Sequence, residues 1–305
     1  MHIYDFVDFV LAVVYNNYVM NIQLNEHFDF KKLIKFTIPS VVMMIFTSIY
    51  GVVDGIFVSN CVGSNAFASV NLIMPVIMLL GCIGFMIGTG GSALVSKTLG
   101  EGDVERANKY FSMLIYFAAL LSFVITVLGV LFIKPIAVAL GAEGQILKDC
   151  IVYAVILLAT NVFFVLQNVF QSFLIVAEKP VMGLIVSVAA GVTNIVGDFL
   201  FVYVFKGGVA GAAVATSLSQ LVGGLVPLLY FVFNKKNTLK LCKAKFEFRP
   251  ILKSCTNGSS EMMTNISLSL VNILYNFQLM KIAGADGVVA YGIIMYISFV
   301  FVSAF

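Results

Sequence analysis

Apolar residues run through this chain in long, nearly unbroken blocks, separated by short segments that carry the charges and the Gly/Pro clusters. A helix needs about 20 mainly apolar residues to cross a bilayer. Eight blocks meet that length, at residues 36–59, 67–95, 109–133, 150–176, 180–205, 208–233, 255–281 and 287–305. Strands of a membrane barrel would alternate apolar and polar residues over segments of about ten. These blocks are longer and do not alternate, so they predict helices. Composition agrees: 61% of the 305 residues are hydrophobic and 11% are charged, with a mean hydropathy of +1.04. Soluble domains carry about a quarter charged residues, so an ordinary soluble enzyme and a disordered chain are both excluded. The expected fold class is an all-α polytopic membrane bundle.

The charges then orient the bundle. With the segment before the first span placed in the cytoplasm, fourteen of the eighteen Lys and Arg residues fall inside. Only Lys134, Lys148, Lys206 and Lys281 fall outside. This satisfies the positive-inside rule and predicts a multi-pass cell-membrane protein with a cytoplasmic N-terminus. A net charge of +3 is too small to suggest nucleic acid as a partner.

The longest polar stretch, NKKNTLKLCKAKFEFRPILK (234–253), follows six spans and reads as a linker between two lobes. The expected organisation is an N-terminal cytoplasmic segment at 1–35, a six-helix lobe at 36–233, a basic linker at 234–254 and the start of a second lobe at 255–305. GSNAFASVNLI (63–73) and GADGVVAYGII (284–294) form a weak repeat at corresponding turns, and six-helix repeats are common in secondary transporters. A second lobe would then also have six spans, but two are present and the chain stops within ISFVFVSAF. It is therefore expected to be a shortened version of a longer protein. Residues 1–21 are too short in apolar run to span. They read as an interfacial helix or as an upstream extension to a start at Met20.

Candidate chemistry is sparse. The five cysteines are scattered without C-x-x-C spacing, and His2 and His27 precede the first span, so no zinc or histidine site is expected within the membrane. Twelve of fifteen acids lie outside the spans, leaving Asp54, Asp198 and Glu261. An intramembrane charge marks a transport pathway or relay by default. Glu261, near the entry of span seven, also reads as a hydrated surface acid. Asp54 lies six residues before Asn60, and Asp198 seven before Phe205. At about 1.5 Å per residue both lie about 9–10 Å below the outer surface, where they can share one cavity. Tyr50 precedes Asp54 by four residues, Asn194 precedes Asp198 by four, and Thr216 lies at a compatible depth. Carboxyls in such a cavity exchange protons and also attract cations, and competition between the two is what an antiporter needs.

Pro39 either bends span one or begins it. Gly84 and Gly88 form a G-x-x-x-G face suited to close helix packing. Met43, Met44, Met74, Met78 and Met86 pack the bundle or line an adaptable pocket. GSALVSKT (91–98) misses the phosphate-binding loop G-x-x-x-x-G-K-[ST] by one glycine and follows a helix rather than a strand. Neither ATP hydrolysis nor any other enzymatic activity is expected, and no cofactor.

IPSVVMMIFTSIYGVVDGIFVSNCVG (38–63), GTGGSALVSKTLGEGDVERANKYF (88–111) and TNIVGDFLFVYVFKGGVAGAAVATSLSQ (193–220) resemble the multidrug and toxic compound extrusion (MATE) family. The resemblance runs from about Met20 to Phe305. It implies twelve helices in two lobes that open alternately, and export of small organic cations, by a monomer, against inward H⁺ or Na⁺. It implies a polar network on Tyr50, Asp54, Asn194, Asp198 and Thr216, and a Na⁺ site on Asp54, Asp198 and Asn194 where Na⁺ is the coupling ion. Pro39 would be the bending residue, with Asn168, Gln171 and Glu261 as extensions. Span seven departs from the family, with Asn257-Gly258-Ser259-Ser260 in place of a G-x-P-like turn. The nearest alternatives are a lipid-linked sugar flippase of the same superfamily, which would need Arg or Lys in its cavity, and a fragment that does not transport.

Overall fold

Helices arise wherever the apolar blocks allow, and their ends are set by caps rather than by the edge of the apolar run. The computed structural model describes residues 29–233 and 238–304. The expected N-terminal segment up to residue 28 and Asn234–Asn237 of the basic linker lie outside the described residues. Helix α1, Phe30–Phe57, starts at Asp29, whose carboxylate accepts the Phe30 N–H at 2.8 Å, and continues as a π-helical turn at Val58–Val62. Helices α2 (Ser64–Gly81) and α3 (Ile83–Gly100) form one stepped span. Helix α4, Val104–Ala139, is capped by Asp103 accepting the Arg106 N–H at 3.0 Å. There follow α5 (Gly144–Val176), α6 (Pro180–Gly197, continued as a π-helical turn at Asp198–Val204), α7 (Gly208–Phe233) and α8 (Phe248–Ala304).

Among the described residues seven runs are long and apolar enough to cross a membrane, the last of them Phe248–Ser298. That last run makes two of the eight expected spans, because α8 folds back on itself at Gly284 (φ 62°, ψ −149°). The rings of Tyr275 and Tyr291 stack at 5.2 Å, and the Tyr291 hydroxyl donates to Asn272 Oδ1 at 2.7 Å. In a straight helix residues sixteen apart would be about 24 Å distant. Glycine takes this positive φ without the clash of a Cβ. The turn lies between the expected ends of spans seven and eight.

Helices α6 and α7 start where their apolar blocks do, but α1, α2, α4, α5 and α8 start earlier. Helix α8 begins at Phe248, so part of the expected linker is helical. Apolarity measures what lies in lipid, whereas backbone hydrogen bonding continues until a cap or glycine stops it. Lys240 and Cys242 of the linker are strapped to residues of α4 that lie four apart. The Lys240 N–H donates to Asn108 Oδ1 at 2.6 Å, the Cys242 N–H to Ser112 Oγ at 2.8 Å, and the Tyr116 hydroxyl to the Cys242 carbonyl at 3.4 Å.

Lipid gives helices no hydrophobic reason to associate, so close approach and polar contacts hold the bundle. Gly84 and Gly88 of α3 face α5, where an added Cβ would come within 2.8 Å of the Val165 carbonyl and 3.1 Å of the Asn168 carbonyl respectively. Phe111, Phe173 and Phe231 join α4, α5 and α7, with centroids 4.9 and 5.0 Å apart. Pro75, inside α2, lacks an N–H and so deprives the Asn71 carbonyl of its helical donor. The buried Asn276 of α8 supplies one, its Nδ2 donating to the Asn71 carbonyl at 2.8 Å. Asn276→Leu should therefore lower stability by about 1–3 kcal/mol, read as the unfolding temperature of the purified protein; an unchanged temperature would contradict this role.

Candidate functional site

Helices α1 and α6 pack side by side, and each ends in a π-helical turn, which begins at Val58, one turn after Asp54, in α1 and at Asp198 itself in α6. The Val58 N–H is shared between the Asp54 and Gly55 carbonyls, and the Asp198 N–H between those of Asn194 and Ile195. Such π-turns frequently occur at functional sites. Here they fall at one level of two neighbouring helices, and the two side chains meet. Asp54 and Asp198 face each other within hydrogen-bonding reach, with 6% and 0% of their surface exposed.

Further groups close around them. Asn194 is buried, and its Nδ2 donates to Thr216 Oγ1 of α7 at 3.4 Å. Tyr50 stands one turn before Asp54 and packs over Gly191 of α6, where a Cβ would lie 2.8 Å from its Cδ1. The structure thus brings together Tyr50, Asp54, Asn194, Asp198 and Thr216, the five residues singled out in the sequence. It adds two that sequence reasoning missed. Tyr153 of α5 is fully buried, with its hydroxyl toward Thr216 and both carboxylates. Tyr296, from the second arm of α8, lies against Gly55, where a Cβ would come within 2.9 Å of its ring, and faces both acids. A tyrosine buried in an apolar span needs a partner for its hydroxyl, which is the signal that points to Tyr153. Tyr296 is contributed by a segment some 240 positions from Asp54, and no local pattern marks it.

The other expected members stand apart. Asn168 and Gln171 lie fifteen and eighteen residues beyond Tyr153 on the same helix, hence about 22 and 27 Å along its axis. The Asn168 Nδ2 donates to its own helix at the Phe164 carbonyl, at 2.9 Å. Glu261 is exposed and accepts from Asn265 Nδ2 at 3.4 Å, one turn along its own helix. Pro39 falls well inside α1 rather than in its first turn.

Unpaired acceptors outnumber unpaired donors in the site. Asp54 Oδ1, both carboxyl oxygens of Asp198 and Asn194 Oδ1 are buried without a hydrogen-bond partner, and so is the Tyr153 hydroxyl, which can donate to only one of them. Two ionised carboxylates are acceptors only, so nothing within this pair can satisfy the other. A proton on either carboxyl converts it into a donor to its neighbour. A hard cation would instead be held by these same oxygens, the ligand type that Na⁺ prefers. No Lys, Arg or His appears among the groups that close around the pair. Among the described residues no group of three or more His, Cys, Asp or Glu gathers elsewhere.

The sequence profile of the MatE family matches residues 39–200, which include Asp54, Asn194 and Asp198. The chain is 26% identical over 203 residues to the multidrug export protein MepA of Staphylococcus saprophyticus, covering 67% of this chain and 45% of that protein. It thus spans about half the length of the curated relatives it matches. Among solved structures it resembles the inward-facing conformation of a multidrug resistance MATE family transporter of the MOP superfamily, at TM-score 0.76 and 25% identity, covering 81% of this chain and 56% of that one. It resembles the outward-facing conformation of such a transporter at TM-score 0.75 and 26% identity, covering 88% and 62%.

Proposed function

Because the chain belongs to the MatE family, a family of membrane transporters and not of enzymes, we propose that it forms the cation-handling lobe of a multidrug efflux antiporter. In this reading Asp54 and Asp198 bind the coupling ion, H⁺ or Na⁺, and compete for it with an organic cation. Asn194 and Thr216 orient the carboxyls, and Tyr50, Tyr153 and Tyr296 wall the cavity with aromatic surface suited to flat cationic drugs. Pro39 serves as the bending point of α1. The basic end of the bundle faces the cytoplasm of the plasma membrane, and the protein acts as a monomer.

The observation that carries this reading is the cluster of four buried acceptor oxygens without donors. Leaving such oxygens empty is costly in low dielectric, so the site favours whichever cation is at hand. When the site opens outward, the coupling ion satisfies the oxygens and displaces the drug. When it opens inward, the drug displaces the ion. Net exchange follows from mutually exclusive occupancy, since each ligand lowers the other's affinity by the same factor. A lipid-linked sugar flippase would need cations near its anionic substrate, and the cluster offers carboxylates, an amide and hydroxyls instead.

The test is direct binding to the purified chain. Tetraphenylphosphonium should bind in competition with ²²Na⁺, or release protons into a weakly buffered solution, with affinity falling as pH is lowered because protons take the same oxygens. Binding that neither releases protons nor competes with Na⁺ would exclude the proposal.

A further inference from the structure

At the basic end of the molecule, far from the carboxylate pair, lies a cavity of about 320 Å³ between the end of α3, the start of α4 and the start of α8. Its lining includes Lys97, Arg106, Arg249 and Lys253 against one acid, Glu101. Only Lys97 has a carboxylate in ion-pair range, Glu101 at 3.8 Å. Among the described residues Arg106, Arg249 and Lys253 have none. Asp103 and Glu247 stand near Arg106 without an ion pair, and four cations around one lining acid still repel one another.

Arg106 is positioned rather than loose. Its Nε donates to the Tyr110 hydroxyl at 2.7 Å, and its guanidinium lies 5.3 Å from that ring's centroid. The terminal nitrogens keep their donors for another acceptor, in the planar fork that suits a phosphate. Arg249 and Lys253 lie in the first turns of α8, where the positive end of the helix dipole adds to their charge and Glu247, just before the helix, partly offsets it. Lys97 and Thr98 belong to the near-match to a phosphate-binding loop, but they lie on the helix α3 and cradle nothing through their backbone. Here their side chains reach a wall that is cationic for a different reason.

We propose that this cavity binds a phosphate group, and that an anionic phospholipid of the cytoplasmic leaflet supplies it. The lipid is favoured because Phe246, Phe248 and Leu252 present exposed apolar surface beside Arg249 and Lys253, where acyl chains would lie. Basic pockets between spanning helices are a recurrent setting for lipid head groups. One bound phosphate would neutralise cations from α3 and α4 together with cations from α8. It would thereby pin the entry of the second lobe to the first at this end.

Thermal unfolding of the purified 305-residue chain tests this, followed with a thiol-reactive dye that reports exposure of the buried Cys82 and Cys150. Dioctanoyl phosphatidylglycerol, dioctanoyl phosphatidylcholine and inorganic phosphate are titrated separately. Phosphatidylglycerol should stabilise at a concentration at least tenfold below phosphatidylcholine. The Arg249→Gln/Lys253→Gln double variant should weaken phosphatidylglycerol binding at least tenfold, while Glu101→Gln should tighten it by about threefold. The opposite sign of the Glu101→Gln effect keeps the test informative if the double variant folds poorly. Stabilisation by inorganic phosphate at comparable concentration would assign the site to free phosphate, and its absence to a lipid head group. Equal responses to both lipids, or full affinity in the double variant, would overturn the proposal. The readout is binding at the basic end, so it stands or falls separately from cation exchange at Asp54 and Asp198.

Discussion

Asp54→Asn is expected to remove cation binding and to make the protein more stable, two effects of opposite sign from one atom exchange. The wild-type pair consists of buried carboxyls whose oxygens lack donors: Asp54 Oδ1 and both oxygens of Asp198. An asparagine at this position keeps the shape and brings an NH₂ that can donate to Asp198, which faces it. Replacing a buried unsatisfied acceptor by a satisfied pair is worth about 1–3 kcal/mol, and for a chain of this size that is about 2–6 °C in unfolding temperature or more. The same exchange removes a formal negative charge and supplies internally the donor that H⁺ or Na⁺ would have brought. Proton release on addition of tetraphenylphosphonium should fall at least a hundredfold, equivalent to about 2.8 kcal/mol of lost cation affinity. Two measurements on one purified variant check this, a proton-release titration and a melting curve. Retained proton release would exclude Asp54 as the exchanging group. A lowered melting temperature would mean that the carboxylate is instead a satisfied structural element.

Depth along the membrane explains why so much of this site could be read from residues alone. Spanning helices share a common reference plane and rise 1.5 Å per residue, so Asp54 and Asp198 could be placed at one level without knowing which helices touch. The i−4 positions of Tyr50 and Asn194 followed from the helical period. Contacts that depend on which element crosses which carry no such signal. Tyr296 comes to Gly55 because α8 reverses at Gly284, and the stacking of Tyr275 on Tyr291 that marks this reversal is long-range. Asn108, Ser112 and Tyr116 read as an ordinary polar stripe on α4, and nothing in their spacing says that a linker runs along it. Nothing in the local sequence around Pro75 marks the Asn276 side chain that replaces its missing donor. Glu261 shows the limit of counting. A residue near a helix entry can point out of the bundle, and Glu261 is exposed.

The second large effect is expected at Gly258, where span seven departs from the family's usual turn. Helix α8 runs without a break through Asn257-Gly258-Ser259-Ser260 and crosses α3 there, backbone against backbone. A Cβ built on Gly258 runs into the Met86 carbonyl oxygen, and one on Gly90 runs into the Ser254 carbonyl oxygen. In both cases the obstructing atom belongs to a helix backbone, which cannot rotate aside as a side chain can. Gly258→Leu must therefore separate the two helices, costing about 3 kcal/mol or more. It should also loosen contacts that depend on the seating of α8, including the Asn276–Asn71 bond and the wall formed by Arg249 and Lys253. The yield of folded protein should fall at least tenfold, with Gly258→Ala in between. Gly51→Ala is the matching control, because nothing lies within 4 Å of a Cβ at that helical position, and it should stabilise by about 0.5–1 kcal/mol. Melting curves of the three variants decide the matter. A Gly258→Leu protein that melts like the wild type would show that α3 and α8 do not meet at this crossing. If instead Gly258→Leu unfolds while Gly51→Ala stabilises, the seam between α3 and α8 is set by close backbone approach.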